Sequence, residues 1–210
     1  MLGKFITFEG IDGSGKSTQL RMLAGYLRGK GVDLVTTHEP GGTPLGRRLR
    51  AAFLETDESV APISELLLFA ADRAQHVETL IKPSLERGSV VISDRYADAT
   101  FAYQGAGRGF DESVVNEVIQ LATGGLKPDL TVFFDITVDT AIRRMSEHQG
   151  EERVQNRMDR ETTEFYDRVR NAYLGLAQRE SDRFKTIDAN GPIDDVHNSV
   201  AVLIESFLGI

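Results

Sequence analysis

The feature that most constrains this chain is a short stretch near its start, Gly10-Ile11-Asp12-Gly13-Ser14-Gly15-Lys16-Ser17, which matches the pattern G-x-x-x-x-G-K-[ST]. An apolar run from Lys4 to Gly10 leads into it, and helically spaced apolar residues follow it, namely Leu20, Leu23, Ala24 and Leu27. Glycines in such a strand-to-helix turn let backbone N–H groups face inward at a helix start, where they bind anions. The stretch therefore predicts a strand, a phosphate-binding loop and a helix, in that order.

Short apolar runs and helical patterns alternate along the rest of the chain. Further strands are predicted at residues 32–38, 90–94, 130–136 and 184–188. Strands separated by helices require crossover connections, and these produce a parallel sheet covered on both faces. We predict an α/β fold of three layers, with a five-stranded parallel sheet between helices and one domain over residues 1–210.

Composition excludes several classes of protein. The formal net charge of −8 disfavours nucleic-acid partners, which select clustered basic residues. No apolar run approaches the roughly 20 residues of a membrane helix, and the N-terminus lacks the layout of a secretory signal. The absence of cysteine excludes disulfides and thiolate chemistry and fits a reducing compartment. We expect a cytoplasmic protein without membrane or nucleic-acid partners.

The phosphate loop assigns roles but does not specify a reaction. Lys16 is expected to reach the β- and γ-phosphates of a bound nucleotide, and the Ser17 hydroxyl to ligate Mg²⁺. A GTPase would carry a guanine-reading Asn-Lys-x-Asp run, which this sequence lacks. A motor or remodelling ATPase remains open on this motif alone.

A second anion site is predicted where Asp94-Arg95-Tyr96 follows a buried strand. In open parallel sheets ligands bind at the carboxyl ends of the strands. Asp94 can orient Mg²⁺ through water, and Arg95 can hold a second phosphate group. The alternative is a purely structural Asp–Arg pair.

Four motifs together make the chain resemble a thymidylate kinase over nearly its whole length. They are residues 8–19, Glu39-Pro40-Gly41-Gly42-Thr43, Asp94-Arg95-Tyr96 with Ala102-Tyr103-Gln104-Gly105, and Thr186-Ile187-Asp188-Ala189. The resemblance implies a P-loop kinase fold, transfer of phosphate from ATP to dTMP with Mg²⁺, and a homodimer formed through the helix that begins at Ser64.

The resemblance also implies the contacts of both nucleotides. Phe69 would stack on thymine, Arg73, Thr100 and Gln104 would read the base edge, and Tyr103 would crowd the sugar 2′ position. Arg50 and Arg95 would clamp the acceptor phosphate, and Asp12 would accept from the 3′-hydroxyl. The ATP site would comprise Gly10, Ile11, Asp12, Gly13, Ser14, Gly15, Lys16, Ser17, Thr18, Arg144, Asp188 and Ala189. For Phe69, helical spacing alone favours a core position.

A lid over residues 146–161, approximately, is predicted from its polar sequence and its arginines. Gly13 stands where one subgroup of the family carries arginine, so the resemblance is to the subgroup with a catalytic arginine in the lid. Arg157 is the first candidate and Arg153 the second, with Lys16 and Arg95 as further catalytic groups. Arg108, in a glycine-rich loop, is as compatible with a solvated residue as with a functional one.

Two other functions remain open on the sequence. A deoxynucleoside kinase also has a P-loop and an acid–arginine strand end, although Arg50 and the Glu39–Gly42 turn favour a phosphorylated acceptor. A nucleotide-dependent switch without turnover is the alternative from a different class.

Overall fold

The computed structural model describes residues 3–147 and 157–210, and these form a five-stranded sheet. The strands are β1 (Phe5–Glu9), β2 (Leu34–His38), β3 (Val90–Asp94), β4 (Leu130–Asp135) and β5 (Phe184–Asp188). Their spatial order is β2-β3-β1-β4-β5, and every neighbouring pair is parallel. The predicted five-stranded parallel sheet is confirmed.

Helices connect the strands and cover the sheet. They are α1 (Lys16–Gly29), α2 (Pro44–Leu54), α3 (Pro62–His76), α4 (Lys82–Glu86), α5 (Ala97–Thr100), α6 (Glu112–Thr123), α7 (Val138–Glu147), α8 (Thr163–Arg179) and α9 (Ile193–Leu208). Two π-helical segments, Val77–Ile81 and Phe101–Gly107, continue α3 into α4 and extend α5. A 3₁₀ turn spans Arg157–Arg160.

The three layers follow from the alternation of side chains along the strands. On β1, Ile6 and Phe8 pack on one face in a cluster with Leu23 and Leu27 of α1 and Val200 of α9. The opposite face of β1 carries Phe5, which clusters with Val77, Ile81 and Tyr96. The sheet is thus buried on both sides, as its nearly continuous apolar strands predict.

Local signals fix several boundaries of these elements. The Thr43 hydroxyl caps α2 by accepting from the Gly46 N–H at 2.9 Å, and Pro44 occupies the first turn. Strand β2 begins at Leu34 rather than at Val32, because the Val32 N–H is bonded to the Leu27 carbonyl at the end of α1, at 3.1 Å. The Glu39–Pro40 peptide is cis.

The helix predicted from Ser64 to about Lys82 begins two residues earlier, at Pro62. It is also interrupted, because residues 77–81 adopt π-helical bonding before α4 continues to Glu86. Of the predicted lid, α7 reaches Glu147 and the 3₁₀ turn begins at Arg157, while residues 148–156 lie outside the described residues. Over the ranges that the structure covers, no helix combines the length and apolarity needed to cross a membrane.

Candidate active site

A cleft of about 920 Å³ lies at the carboxyl ends of the strands, where parallel sheets bind ligands. Most of the predicted site residues line it, on segments that are distant in the sequence. They are Asp12, Gly13, Ser14, Gly15, Lys16, Ser17, Thr18, Arg50, Phe69, Arg73, Asp94, Arg95, Thr100, Tyr103, Gln104, Arg144 and Ala189. The fold therefore gathers both predicted nucleotide sites into a single cleft.

The phosphate loop has the backbone that its glycines predict. Gly10, Gly13 and Gly15 have φ values of 143°, 79° and 88°, in the region that L-residues avoid. A Cβ on Gly13 would lie 2.6 Å from the Ala141 carbonyl oxygen, so no side chain fits there without movement of the backbone. This backbone therefore requires glycine at that position.

Lys16 is held against the loop itself. Its Nζ donates to the carbonyls of Gly10 and Ile11 at 2.9 and 2.8 Å and to the Ser14 hydroxyl at 3.2 Å. Burial, with the nearby charge of Arg95, lowers the pKa of Lys16 to about 8. Ile11 contributes this carbonyl but buries its side chain in the core, so it does not line the cleft.

Ser17 and Asp94 form the part of the cleft best suited to a divalent cation. The Ser17 hydroxyl donates to Asp94 Oδ2 at 2.6 Å, so α1 and β3 bring two oxygen ligands together. Among the described residues no cluster of three or more acidic, His or Cys side chains could hold a metal. Mg²⁺ needs no such cage, because it is usually bound by one or two carboxylates, waters and substrate phosphates. The pair fits that pattern.

Asp12, Arg95 and Tyr103 form a closed triangle beside the phosphate loop. Arg95 Nη2 donates to Asp12 Oδ1 at 3.0 Å and to the Tyr103 hydroxyl at 2.9 Å, and that hydroxyl donates to Asp12 Oδ2 at 3.0 Å. Within the described ranges Arg95 is the non-glycine residue with a positive φ, 71°. Strained backbone of this kind is concentrated at functional sites.

Glu9 is completely buried behind this triangle. It accepts from the Tyr96 N–H and from the Tyr173 hydroxyl, each at 2.8 Å. Burial, followed by the charge of Asp98, raises the pKa of Glu9 to about 8. Glu9 thus anchors the backbone that follows Arg95 to the end of β1.

Arg73 is buried, and its guanidinium is fixed on three sides. Its Nε donates to Glu39 at 2.7 Å, Nη1 to the Thr100 hydroxyl at 2.7 Å, and Nη2 to the Tyr96 carbonyl at 2.8 Å. His76 holds the other Glu39 oxygen at 2.8 Å. Since a guanidinium has five N–H donors, these three bonds leave one further N–H on each terminal nitrogen of Arg73.

Phe69 and Arg50 border the same part of the cleft. Phe69 is partly buried, and its ring meets that of Phe53 edge-on at 4.9 Å, so it is both a core residue and a wall of the cleft. Arg50 Nη1 donates to the Pro40 carbonyl at 3.3 Å and its Nε lies 3.4 Å from Glu55. The turn with the cis peptide thereby positions this arginine.

At the opposite end of the cleft, Arg144 on α7 reaches the segment after β5. Its Nη1 donates to the Ala189 carbonyl at 3.0 Å. Asp188 is exposed and accepts from the Asn190 N–H at 3.0 Å instead of lining the cleft. Of the predicted adenine contacts, the structure brings Arg144 and Ala189 together in the cleft and leaves Asp188 at its margin.

Arg157 does not face the phosphate loop in this structure. Its guanidinium pairs with Glu65, a buried carboxylate on α3 that sequence reasoning missed, and its Nε donates to the Phe53 carbonyl at 3.4 Å. Arg108 is not solvated, since it binds Glu65 at 3.0 Å and Glu161 at 2.6 Å. Arg153 lies outside the described residues.

The missed residues share a reason for having been missed. Glu65, and the contact of Glu39 with Arg73, were missed because each acid binds an arginine more than 30 positions away, a pairing that no local spacing marks. Glu65 is an acidic residue on the buried face of α3. Charged residues are almost never fully buried unless they are paired, so this position was the signal that could have identified Glu65.

Comparisons with known proteins agree with this geometry. The family model described as thymidylate kinase matches residues 8–200. A thymidylate kinase from Desulfovibrio desulfuricans is 47% identical over 208 residues, which cover 97% of this chain and 96% of that protein. One from Carboxydothermus hydrogenoformans is 44% identical over 209 residues, with both chains covered completely. The crystal structure of thymidylate kinase from Ehrlichia chaffeensis superposes with a TM-score of 0.79 at 36% identity, covering 98% of this chain and 100% of that one.

Proposed function

Because the chain belongs to the thymidylate kinase family, we propose that it transfers the γ-phosphoryl group of ATP to dTMP, giving ADP and dTDP. The observation that carries the proposal is the joining of the phosphate loop and the arginines of the second anion site in one cleft. No observation favours a deoxynucleoside kinase or a switch without turnover.

The donor side of the proposal rests on the loop and Lys16. Loop N–H groups and the start of α1 attract the polyphosphate. The Lys16 ammonium would leave the carbonyls of Gly10 and Ile11 and bind β- and γ-phosphate oxygens instead. Its positive charge would then stabilise the γ-phosphoryl group during transfer. Arg144 and the backbone near Ala189 would hold the adenine end.

Ser17 and Asp94 would hold Mg²⁺ through the oxygens that already meet at 2.6 Å. The bound ion would supply neutralisation of charge on the β- and γ-phosphoryl oxygens. Each residue's own contribution is an oxygen ligand of fixed position, which orients the polyphosphate relative to the loop.

The acceptor side of the proposal rests on arginines with anchored positions. Arg50 and Arg95 would bind the dTMP phosphate, with Arg95 aimed by Asp12 and Tyr103. Phe69 would stack on the base, and Tyr103 would leave no room for a 2′-hydroxyl. A phosphorylated acceptor explains these two cations better than a bare nucleoside does, because guanidinium groups bind phosphate in paired hydrogen bonds.

Arg157 is proposed as the catalytic arginine of residues 146–161. To act on the transferring group it must leave Glu65, with which it is paired. Arg153 stays the second candidate.

A homodimer and a cytoplasmic location complete the proposal. Apolar side chains are exposed along α3 and α6, notably Leu67 and Leu121 at 54% and 87%. Helices α3 and α6 contact each other, and an interface with a second copy would cover such exposed apolar side chains. Light scattering of the purified protein beside Leu67→Glu and Leu121→Glu variants would test it, with a dimer expected only without the substitutions.

The function is tested by incubating the protein with ATP, Mg²⁺ and dTMP, thymidine or no acceptor, and identifying products by chromatography. We expect dTDP and ADP in equal amounts with dTMP, and no ADP above background with thymidine. dTMP formed from thymidine would support the deoxynucleoside kinase. Nucleotide binding without any ADP release would support the switch.

A further inference from the structure

Glu65 is a buried acid whose two oxygens accept four hydrogen bonds from three side chains. On the π-helical segment, Gln104 Nε2 donates to Glu65 Oε1 at 2.8 Å. Just beyond that segment, Arg108 donates to both oxygens, at 3.1 and 3.0 Å, and Arg157 pairs with Oε2. Burial acts to raise the pKa of Glu65, but the hydrogen bonds from Arg108, Arg157 and Gln104 outweigh it and hold the pKa below its ordinary value. The group is therefore a carboxylate.

A carboxylate can only accept hydrogen bonds, and this fact decides the orientation of Gln104. The amide must turn its NH₂ group to Glu65 and its oxygen, Oε1, the other way. Gln104 lines the cleft, and among the described residues no donor reaches Oε1. The glutamine thus presents its amide oxygen, a hydrogen-bond acceptor, to whatever binds in the cleft.

Next to this acceptor lie groups of the opposite kind. Thr100 is four residues from Gln104, one helical turn earlier, and its hydroxyl accepts from Arg73. Arg73 keeps an N–H on each terminal nitrogen, and the Thr100 hydroxyl keeps its own proton. The cleft therefore offers donors beside a single fixed acceptor. A pyrimidine with an imide edge, C=O, N–H and C=O, complements that arrangement, whereas cytosine replaces the central N–H by a lone pair.

We propose that Glu65 is a positioning residue that sets specificity for imide pyrimidines by fixing the polarity of the Gln104 amide. The inference rests on the proposed function and names a determinant of its acceptor choice. Glu65 would not touch the nucleotide, and its effect would pass through the amide that does.

The Glu65→Gln substitution gives the sharpest test. The amide oxygen of the new side chain would accept from Arg108 and Arg157, which leaves the NH₂ group of that side chain facing Gln104. Gln104 must then turn its own oxygen toward position 65 and present NH₂ to the cleft, where it faces the N–H of thymine. Because of this mismatched buried polar contact, kcat/KM for dTMP relative to dCMP should fall by roughly 10- to 100-fold.

Two internal controls separate this role from a structural one. The ratio of kcat/KM for dTMP to that for dUMP should not change, because both bases have the same imide edge. Arg108→Gln loosens the same carboxylate without removing the acceptor of the Gln104 NH₂ group, so it should retain discrimination against dCMP even if turnover falls. If Glu65→Gln alone does not fold, the Glu65→Gln/Arg108→Gln pair removes one unpaired cation and allows the same measurement.

The outcomes are distinct. No turnover of dTMP by the unsubstituted protein would overturn the proposed function itself. Turnover of dTMP by the unsubstituted protein, together with a fall in the dTMP-to-dCMP preference in Glu65→Gln whatever its turnover, supports the positioning role. An unchanged preference, or an equal loss of preference in Arg108→Gln, would overturn it.

Discussion

Asp72 on α3 is a buried acid that should weaken the folded state at neutral pH. Its Oδ1 accepts from the Gly41 N–H at 3.1 Å, and within the described residues its Oδ2 is the buried side-chain oxygen without a hydrogen-bond partner. Burial and the nearby Glu39 raise the pKa of Asp72 to about 6. We predict that Asp72→Asn, which keeps the shape and the Gly41 bond, stabilises the protein above that pH.

The magnitude and its pH window follow from the pKa difference. The unfolded pKa is the ordinary 3.8, so folding raises it by about two units, which corresponds to about 3 kcal/mol at 1.36 kcal/mol per unit. Between pH 4 and pH 6, roughly, the folded state holds the proton and the unfolded state does not, so stability falls as pH rises. The advantage of Asp72→Asn should be absent below about pH 4 and complete above about pH 6.

Urea unfolding between pH 4 and pH 8, at low protein concentration because the sequence pI is about 5.1, measures this advantage. Asp182→Asn, at an exposed position between α8 and β5, is the matched control and should show no gain at any pH. If Asp72→Asn were equally stable or less stable at pH 8, Asp72 would be a favourably ionised group and the reasoning would be refuted.

Three further predictions concern the cleft. Lys16→Ala should lower kcat by at least about 10²-fold in steady-state assays, because it removes the charge that follows the transferring phosphoryl group; a near-normal kcat would exclude that role. Arg157→Ala should lower kcat by about 10³-fold with a much smaller change in the KM for ATP, and an unaltered kcat would reject the assignment. Gly13→Ala should destabilise the fold by about 1–3 kcal/mol in urea unfolding, since it forces a Cβ to within 2.6 Å of a carbonyl at a positive φ. Gly175→Ala, where a Cβ meets nothing within 4 Å, should not destabilise it.

The parts of the fold that the sequence predicts are those set by local physics. Positive φ values in the phosphate loop require its glycines, and Thr43 and Pro44 mark the start of α2 because they satisfy a helix terminus by themselves. The strands were recognisable as apolar runs because a parallel sheet is buried on both faces. The π-helical interruption at Val77–Ile81 cannot be recognised in the sequence, because it changes the backbone hydrogen bonding without changing the apolar pattern.

In the candidate site, the resemblance predicted most of the residues that line the cleft, although not Arg157 or Asp188, which lie elsewhere, and it did not predict what holds them. The environment of Arg73 depends on Glu39, Tyr96 and Thr100, which approach it only through the sheet and the cis-peptide turn. The pairing of Arg157 with Glu65 joins positions 92 residues apart, and a charged residue near a cleft has no local preference for one partner over another. Such contacts require the tertiary structure.

The central claim is that one cleft holds a donor polyphosphate on the loop and a second phosphate on two arginines. A crystal structure with a bisubstrate analogue, adenosine and thymidine joined through a polyphosphate, tests it most directly. We predict that one end of the polyphosphate lies on the loop N–H groups and Lys16, and that the other lies within hydrogen-bond distance of Arg50 and Arg95. The claim would be contradicted if Arg95 still donated only to Asp12 and Tyr103 and if Arg50 pointed away from every phosphoryl oxygen.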